Sequence, residues 1–400
     1  MKREEDMKRK QYSIEELTEL AKEFSVKQIL KHNAYRNIPL DFTTAYLLGV
    51  YTIFPYRPEL SEVFDQNKPV AEKQSIAALC ALHNQETYRK PEAPEQIAGI
   101  LAAIFDYDIG LSEYGFLLPN LKWAMDNCGM GGDLFRTPNV STISALIAAA
   151  DRIPMAKHGS PGNTDSTGSS DFLEYMGVNL FANKRRIEKA LEKFYFGYTD
   201  ALDTRYKVIH TQTHNSAHLA HMNDLIGPVT NPLHPKLMKA RVLGVNHLIK
   251  PEIVADAYLI LNRRGVTSLK HGLFVRGFVT KERDGGIDEV SIFQGGTIVA
   301  ELKGNKIETY ELHADDFGLK TGIYYEPPRG KKEKAEFGKM ILQGKVTDSA
   351  RDLILANTAV LEYLAHGITL KDGVEKARNV LESQKPLKNL REYCEFVKQN

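Results

Sequence analysis

Twice in this chain a short apolar segment runs into a glycine-rich loop and then into a helix-forming run, and that arrangement limits the fold more than any other feature. The first instance begins near Trp123, turns through Gly129-Met-Gly-Gly-Asp133 and continues into Ser141-Thr-Ile-Ser-Ala-Leu-Ile-Ala-Ala-Ala150. The second runs from Ile153 to Ala156, through Lys157-His-Gly-Ser-Pro-Gly-Asn-Thr-Asp-Ser-Thr-Gly168, to the helical spacing of Phe172, Leu173 and Met176. Alternating strand, loop and helix implies βα units and a parallel sheet. Further strands are expected at Gly272–Val279, Glu289–Phe293 and Thr297–Leu302, and a helix over Thr347–His366.

The first quarter has a different pattern. Ser13 and Glu16 have the spacing of a capping box ahead of Leu17, Leu20 and Ala21. Ile76, Leu79, Cys80 and His83, then Ile97, Ile100, Leu101 and Ile104, each mark one helical face, with breaks near Pro69 and Pro91. The expectation is an α/β protein with a small all-helical domain over residues 1–118, joined in space by helices from about 200–226. A larger domain over 119–400 holds a central, largely parallel sheet flanked by helices.

A length of 400 residues allows two such domains. With 52 basic against 51 acidic residues, the net charge of +1 supplies no overall field for a polyanion. Cys80, Cys128 and Cys394 are too widely spaced for a disulfide framework or a paired thiolate zinc motif, so reduced, structural thiols are expected. The charged start, Met1-Lys-Arg-Glu-Glu-Asp6, lacks the apolar core of a secretory signal, and no run is long enough to span a bilayer. The expected location is cytoplasmic, without a membrane.

A glycine turn between strand and helix brings backbone N–H groups close to phosphate oxygens, and the helix N-terminus adds favourable potential. Gly129, Gly131 and Gly132 meet that requirement; Asn139, Ser141 and Thr142 place short polar side chains at the helix entry, as caps or as phosphate donors. The second loop adds the positive charge of Lys157 and a run of hydroxyls including Ser160, Thr164 and Ser166. Such a composition also suits a solvated turn. Asp288 and Glu289, after Gly286, are adjacent acids of the kind that hold Mg²⁺ beside substrate phosphates, or else an exposed acid pair at a hairpin edge.

At these loops the sequence resembles the anthranilate phosphoribosyltransferase family, whose pattern is approximately GTGGD, NxST, KHGN and a later GxDE. The matching stretches are Gly129-Met-Gly-Gly-Asp133, Asn139-Val-Ser-Thr142, Lys157-His-Gly-Ser160 and Gly286-Ile-Asp-Glu289. Asp171-Phe-Leu-Glu-Tyr-Met-Gly-Val178, Gly227-Pro-Val-Thr-Asn-Pro232, Tyr310-Glu-Leu-His-Ala-Asp-Asp-Phe-Gly318 and Leu355-Ala-Asn357 extend the match. The resemblance implies a homodimer that transfers phosphoribose from phosphoribosyl pyrophosphate (PRPP) to a small nitrogen-containing acceptor. It implies that Gly129, Gly131, Gly132, Asp133, Asn139, Ser141, Thr142, Lys157, Thr164 and Asp165 surround the sugar pyrophosphate, and that Asp288, Glu289 and Ser141 organise Mg²⁺. Lys157 would neutralise charge on the leaving pyrophosphate.

The chain departs from the pattern in places. Met130 stands for Thr, Leu134 follows where Gly is usual, and Ser160-Pro161 replaces Asn-Arg. Thr164 and Asp165 occupy the place of a serine pair, and the added carboxylate repels pyrophosphate unless a cation intervenes. On the acceptor side, the arginine that receives the anthranilate carboxylate is replaced near His214, and Arg205 is the nearest upstream arginine. Imidazole does not reproduce a bidentate guanidinium clamp, so the expected acceptor is not anthranilate. His210, His214, His218 and His221 fall near one helical face, as a metal-binding pair or as the lining of a polar pocket. His214 and His218 are the candidate acceptor-binding or proton-accepting residues.

Two other functions fit parts of the pattern. One is a noncatalytic nucleic-acid-binding relative, with Lys331, Lys332 and Lys334 contributing to a basic surface, although that segment also suits a solvated loop. The other is nucleoside phosphorolysis.

Overall fold

The computed structural model describes residues 11–162, 167–211 and 219–398. Its contacts divide the chain into two compact units: Met1–Phe116 with Leu202–Lys236 and Leu248–Ser268, and Leu117–Ala201 with Leu237–His247 and Leu269–Asn400.

The first unit is helical. Its opening helix, Ile14–Ala21, starts at the capping box: Glu16 N donates to Ser13 Oγ at 3.1 Å, and Ser13 N donates to the Glu16 carboxylate at 2.7 Å. Helices Phe42–Ile53 and Ala93–Ala103 pack together and are buried along most of their length. Lys68–Ala81 and Pro251–Arg263 join them. The buried carboxylate of Asp108 explains why Leu202–Lys236 belongs here. It accepts from the backbone N–H groups of Val208 at 2.8 Å and Ile209 at 3.0 Å, and from Arg57 Nη2 at 3.0 Å. Leaving such a group without partners is costly, so it ties three separate stretches of chain together.

The second unit is built on one sheet of eight strands among the described residues: β1 (Ala124–Gly129), β2 (Met155–Gly159), β3 (Phe196–Asp200), β4 (Met238–Gly244), β5 (His271–Phe278), β6 (Gly286–Ile287), β7 (Gly296–Lys303) and β8 (Lys306–Leu312). Their order is β3-β2-β1-β4-β5-β7-β8, with β6 beside β5. The five strands from β3 to β5 are parallel; β6, β7 and β8 are antiparallel to their neighbours. Strands β1 to β4 are buried almost throughout, as expected of parallel strands covered on both faces. Helices Val140–Ala150, Lys184–Phe194 and Ser349–His366 pack on the sheet. No single helix among the described residues is long and apolar enough to cross a membrane.

Glu289–Phe293 is not a strand. The backbone groups of Val290 and Ser291 bond to side chains instead of a ladder. Val290 N donates to Asn357 Oδ1 at 3.0 Å and Val290 O accepts from Asn357 Nδ2 at 2.8 Å, while Ser291 N donates to Thr297 Oγ1 at 2.8 Å. The apolar residues that suggested a strand are buried, but in an irregular segment.

Candidate functional site

Chain order along the sheet reverses at β1, whose two neighbours are β2 and β4, so the carboxyl ends of β1 and β4 form the switch point at which open α/β sheets bind their ligands. Each strand ends there in a glycine, and Gly129 and Gly244 are paired in register. A Cβ on Gly129 would lie 1.8 Å from Asp288 Oδ2, and one on Gly244 would lie 1.5 Å from Asp288 O. The two missing side chains therefore make the space that Asp288 occupies.

Beyond Gly129 the loop turns through Gly131 and Gly132, with φ of 71° and 78°, a region where a side chain is strained. This turn brings Gly131 N within 2.7 Å of Asp288 Oδ2, and Asp288 N in return donates to Asp133 Oδ2 at 3.0 Å. Thr137 Oγ1 holds both oxygens of Glu289, at 3.3 and 3.2 Å. Carboxylate oxygens of Asp133, Asp288 and Glu289 all lie within 4.8 Å of one another. Asn357, on the helix Ser349–His366, fixes Val290 immediately after this pair.

Three acids this close are electrostatically uncomfortable. Burial, and then the charge of Asp288, raise the proton affinity of Asp133 and of Glu289 well above the ordinary carboxylate range. Basic groups answer them only in part. Arg276 feels Asp133 and Asp288, and Lys334 feels Glu289 most of all, but burial dominates for each and lowers its pKa. Asp133 Oδ1 is buried without a hydrogen bond among the described residues. A cluster of hard oxygen ligands with an orphaned buried acceptor fits a divalent cation such as Mg²⁺, and Asp133, Asp288 and Glu289 are the residues that would hold it. Ser141 lies in the first turn of Val140–Ala150. Its backbone oxygen accepts from Asn127 Nδ2 at 2.7 Å, and no hydrogen bond links its hydroxyl to the acids.

The two glycine-rich loops are bonded to each other. Asn139 precedes the helix Val140–Ala150 but makes no side-chain cap; its Nδ2 donates to Thr167 O at 2.9 Å and Gly168 O at 3.0 Å. Thr142 Oγ1 donates to Ser169 Oγ at 2.9 Å. The polar residues at the helix entry thus act as ties across the loops. Lys157, on β2, is fully buried and its Nζ donates to His158 O at 2.5 Å. Thr164 and Asp165 lie outside the described residues.

The acceptor-side candidates are less completely placed. His214 and His218 lie outside the described residues. His210 and His221 are buried, but 219–221 is not helical, so a single helical stripe does not extend to His221, whose Nδ1 accepts from Asn223 N at 3.2 Å. The Arg205 guanidinium is held by Asp203 through contacts of 3.0, 2.8 and 2.6 Å. The lysine-rich segment is neither a loop nor wholly solvated. It starts the helix Lys331–Leu342, in which Lys331 pairs with Asp171 at 3.0 Å and Lys334 is buried.

Asp133 as a third acid, Thr137, Lys334, Asn357 and Gly244 were not legible as parts of this centre. Only Lys334 had a local signal: it shares a helical face with Gly338 and Ile341, at spacings of four and seven residues.

Comparison with known proteins agrees with this geometry. Residues 121–386 match the family model described as the glycosyl transferase family, a/b domain. An anthranilate phosphoribosyltransferase of Haloarcula marismortui is 33% identical over 317 residues, covering 78% of this chain and 87% of that protein. One of Helicobacter pylori strain G27 is 35% identical over 274 residues, covering 66% and 75%. The crystal structure of the Thermus thermophilus anthranilate phosphoribosyltransferase superposes with a TM-score of 0.70 at 27% identity, over 93% of this chain and 99% of that one. The Saccharomyces cerevisiae enzyme in complex with PRPP and Mg shares the fold, with a TM-score of 0.72 at 22% identity, over 94% and 99%. Taken with the acid centre and the joined loops, these matches identify the chain as a phosphoribosyltransferase of the anthranilate phosphoribosyltransferase family.

Proposed function

We propose that the protein transfers phosphoribose from PRPP to the nitrogen of a small acceptor, with Mg²⁺ at the Asp133, Asp288 and Glu289 cluster. The observation that carries this reading is the convergence of three half-buried carboxylates beside two mutually bonded glycine-rich loops. The yeast neighbour solved with PRPP and Mg supports both the donor and the ion.

In the proposed reaction the acceptor nitrogen attacks the ribose anomeric carbon, the bond from that carbon to the pyrophosphate oxygen breaks, and the oxygen leaves with the electron pair. Mg²⁺, when bound, neutralises charge on that leaving group. The protein's own contribution is positioning and a fixed electrostatic environment. The 129–133 loop and the Asn139 to Thr142 helix entry cradle the phosphates, and Lys157 adds positive charge that acts on Glu289 from within the sheet. The acceptor nitrogen loses a proton to a base, for which His214 and His218 remain the candidates offered by the sequence.

The relatives' names put anthranilate first among acceptors to test. Against it stands Arg205, already bonded to Asp203, in a segment otherwise rich in histidine. We therefore favour an acceptor that is not anchored by a carboxylate. Replacing Asp288 and Glu289 together by alanine is expected to abolish Mg²⁺-dependent PRPP binding, measured by calorimetry; unchanged binding rejects the assignment. Incubation with PRPP, Mg²⁺ and a panel of aromatic amines with and without carboxylates, read by product mass, identifies the acceptor. Turnover confined to anthranilate overturns the acceptor reading.

A further inference from the structure

The helix Lys331–Leu342 buries Ala335, Gly338, Ile341 and Leu342, and Lys334 goes under with them, only 8% exposed. A buried ammonium ordinarily has a carboxylate against it, because the cost of removing it from water is otherwise uncompensated. Lys334 Nζ makes one long hydrogen bond, 3.3 Å to Thr167 O, and forms no ion pair within 4.0 Å among the described residues. An ammonium carries three donors, so this one is under-used.

Its surroundings say what would complete it. The charges acting on it are those of Glu289, then Arg136 in opposition, then Asp288 and Asp133. The field of the acid centre thus reaches it, yet it closes on none of the three carboxylates. The carbonyl it touches, Thr167 O, also accepts from Asn139 Nδ2, the tie between the two glycine-rich loops. The ammonium thus sits where the second loop meets the first. Lys157, the cation singled out by the sequence, has its Nζ directed at His158 O instead.

We propose that Lys334 binds a pyrophosphate oxygen of the donor directly, at the junction of the two glycine-rich loops. This inference rests on reading the site as one for a sugar pyrophosphate. In that arrangement Lys334 attracts the anion and repels a cation that arrives without one. Loss of its charge therefore moves two affinities differently, which loss of structure alone does not.

The test is calorimetric titration of the full-length protein, and of K334M and K334Q, with Mn²⁺ alone, with inorganic pyrophosphate in saturating Mg²⁺, and with PRPP in saturating Mg²⁺. Both variants are expected to bind pyrophosphate and PRPP about 10- to 100-fold more weakly, the scale of one charge-assisted hydrogen bond. They should bind Mn²⁺ alone as tightly as the parent or more tightly. Anion affinity within twofold of the parent overturns the proposal, and so does an equal fall in Mn²⁺ and anion affinity, which marks a structural role. Weakening confined to PRPP also overturns it, because the lysine then touches another part of that molecule. If the parent protein binds neither pyrophosphate nor PRPP, the donor reading itself fails, and Lys334 with it.

Discussion

Gly129 and Gly244 are register partners at the ends of two parallel strands, and a Cβ added to each would meet a different part of Asp288. The difference separates two effects. A methyl on Gly129 collides with the Asp288 carboxylate, which can rotate away; a methyl on Gly244 collides with a peptide carbonyl, which cannot move without the backbone. Gly244→Ala should cost about 3 kcal/mol in urea unfolding, at the upper end of overpacking. Gly129→Ala should cost about 1 kcal/mol by the same measure, yet weaken Mn²⁺ binding at least as severely. Equal stability losses in the two variants would contradict this assignment of contacts.

The acid centre opposes folding when no cation is present. Burial, and then the neighbouring charges of Asp288 and Glu289, disfavour a charged Asp133. Asp133→Asn keeps an oxygen to accept from Asp288 N and removes the charge. In metal-free buffer the variant should melt higher than the parent, and the rise in melting temperature that Mg²⁺ gives the parent should vanish. A variant that melts lower without metal, or still gains stability from Mg²⁺, goes against the assignment.

Glu301, on β7, makes the opposite case. Burial pushes its pKa up, but hydrogen bonds from His271, Tyr363 and Tyr310 more than offset that and hold it at about 2, below the reference 4.5. A carboxyl with a depressed folded pKa stabilises the fold above its unfolded pKa and stops doing so as pH falls through the folded one. The stability gap between the parent and Glu301→Gln should therefore be full above about pH 4.5 and close toward pH 2. A gap that stays constant between pH 6 and pH 3 would remove Glu301 from this role.

Most of the scaffold was legible because it rests on local chemistry. The Ser13–Glu16 box, the presence of helices in the first quarter and the two strand–loop–helix units depend on spacings of a few residues, although Lys68–Ala81 buries Ala71, Ser75, Ala78 and Leu79 rather than the face of Ile76 and Cys80. The acid pair Asp288–Glu289 and the glycine turn were visible for the same reason. That they converge came only from the family resemblance, and the contacts that join them were not visible. Asp133 meets Asp288 across 155 residues of chain, and Asn357 meets Val290 across 67, distances that no local pattern encodes. The strand expected at Glu289–Phe293 failed through that same long-range contact, since Asn357 takes the backbone groups a ladder would use. Lys334 was read as part of a basic surface or of a solvated loop after Pro327-Pro328-Arg-Gly, although its helical phase is that of the buried face.

The separation between the 129–133 loop and Asp288 also sets when the centre comes into being. Asp133 follows β1, whereas Asp288 and Glu289 follow β6, which pairs antiparallel with β5, so the three acids meet only where distant parts of the sheet are both in place. An ion bound there grips only the finished molecule. It should leave the speed of folding unchanged and slow the reverse step, so that the metal lengthens the lifetime of the native protein without helping to build it.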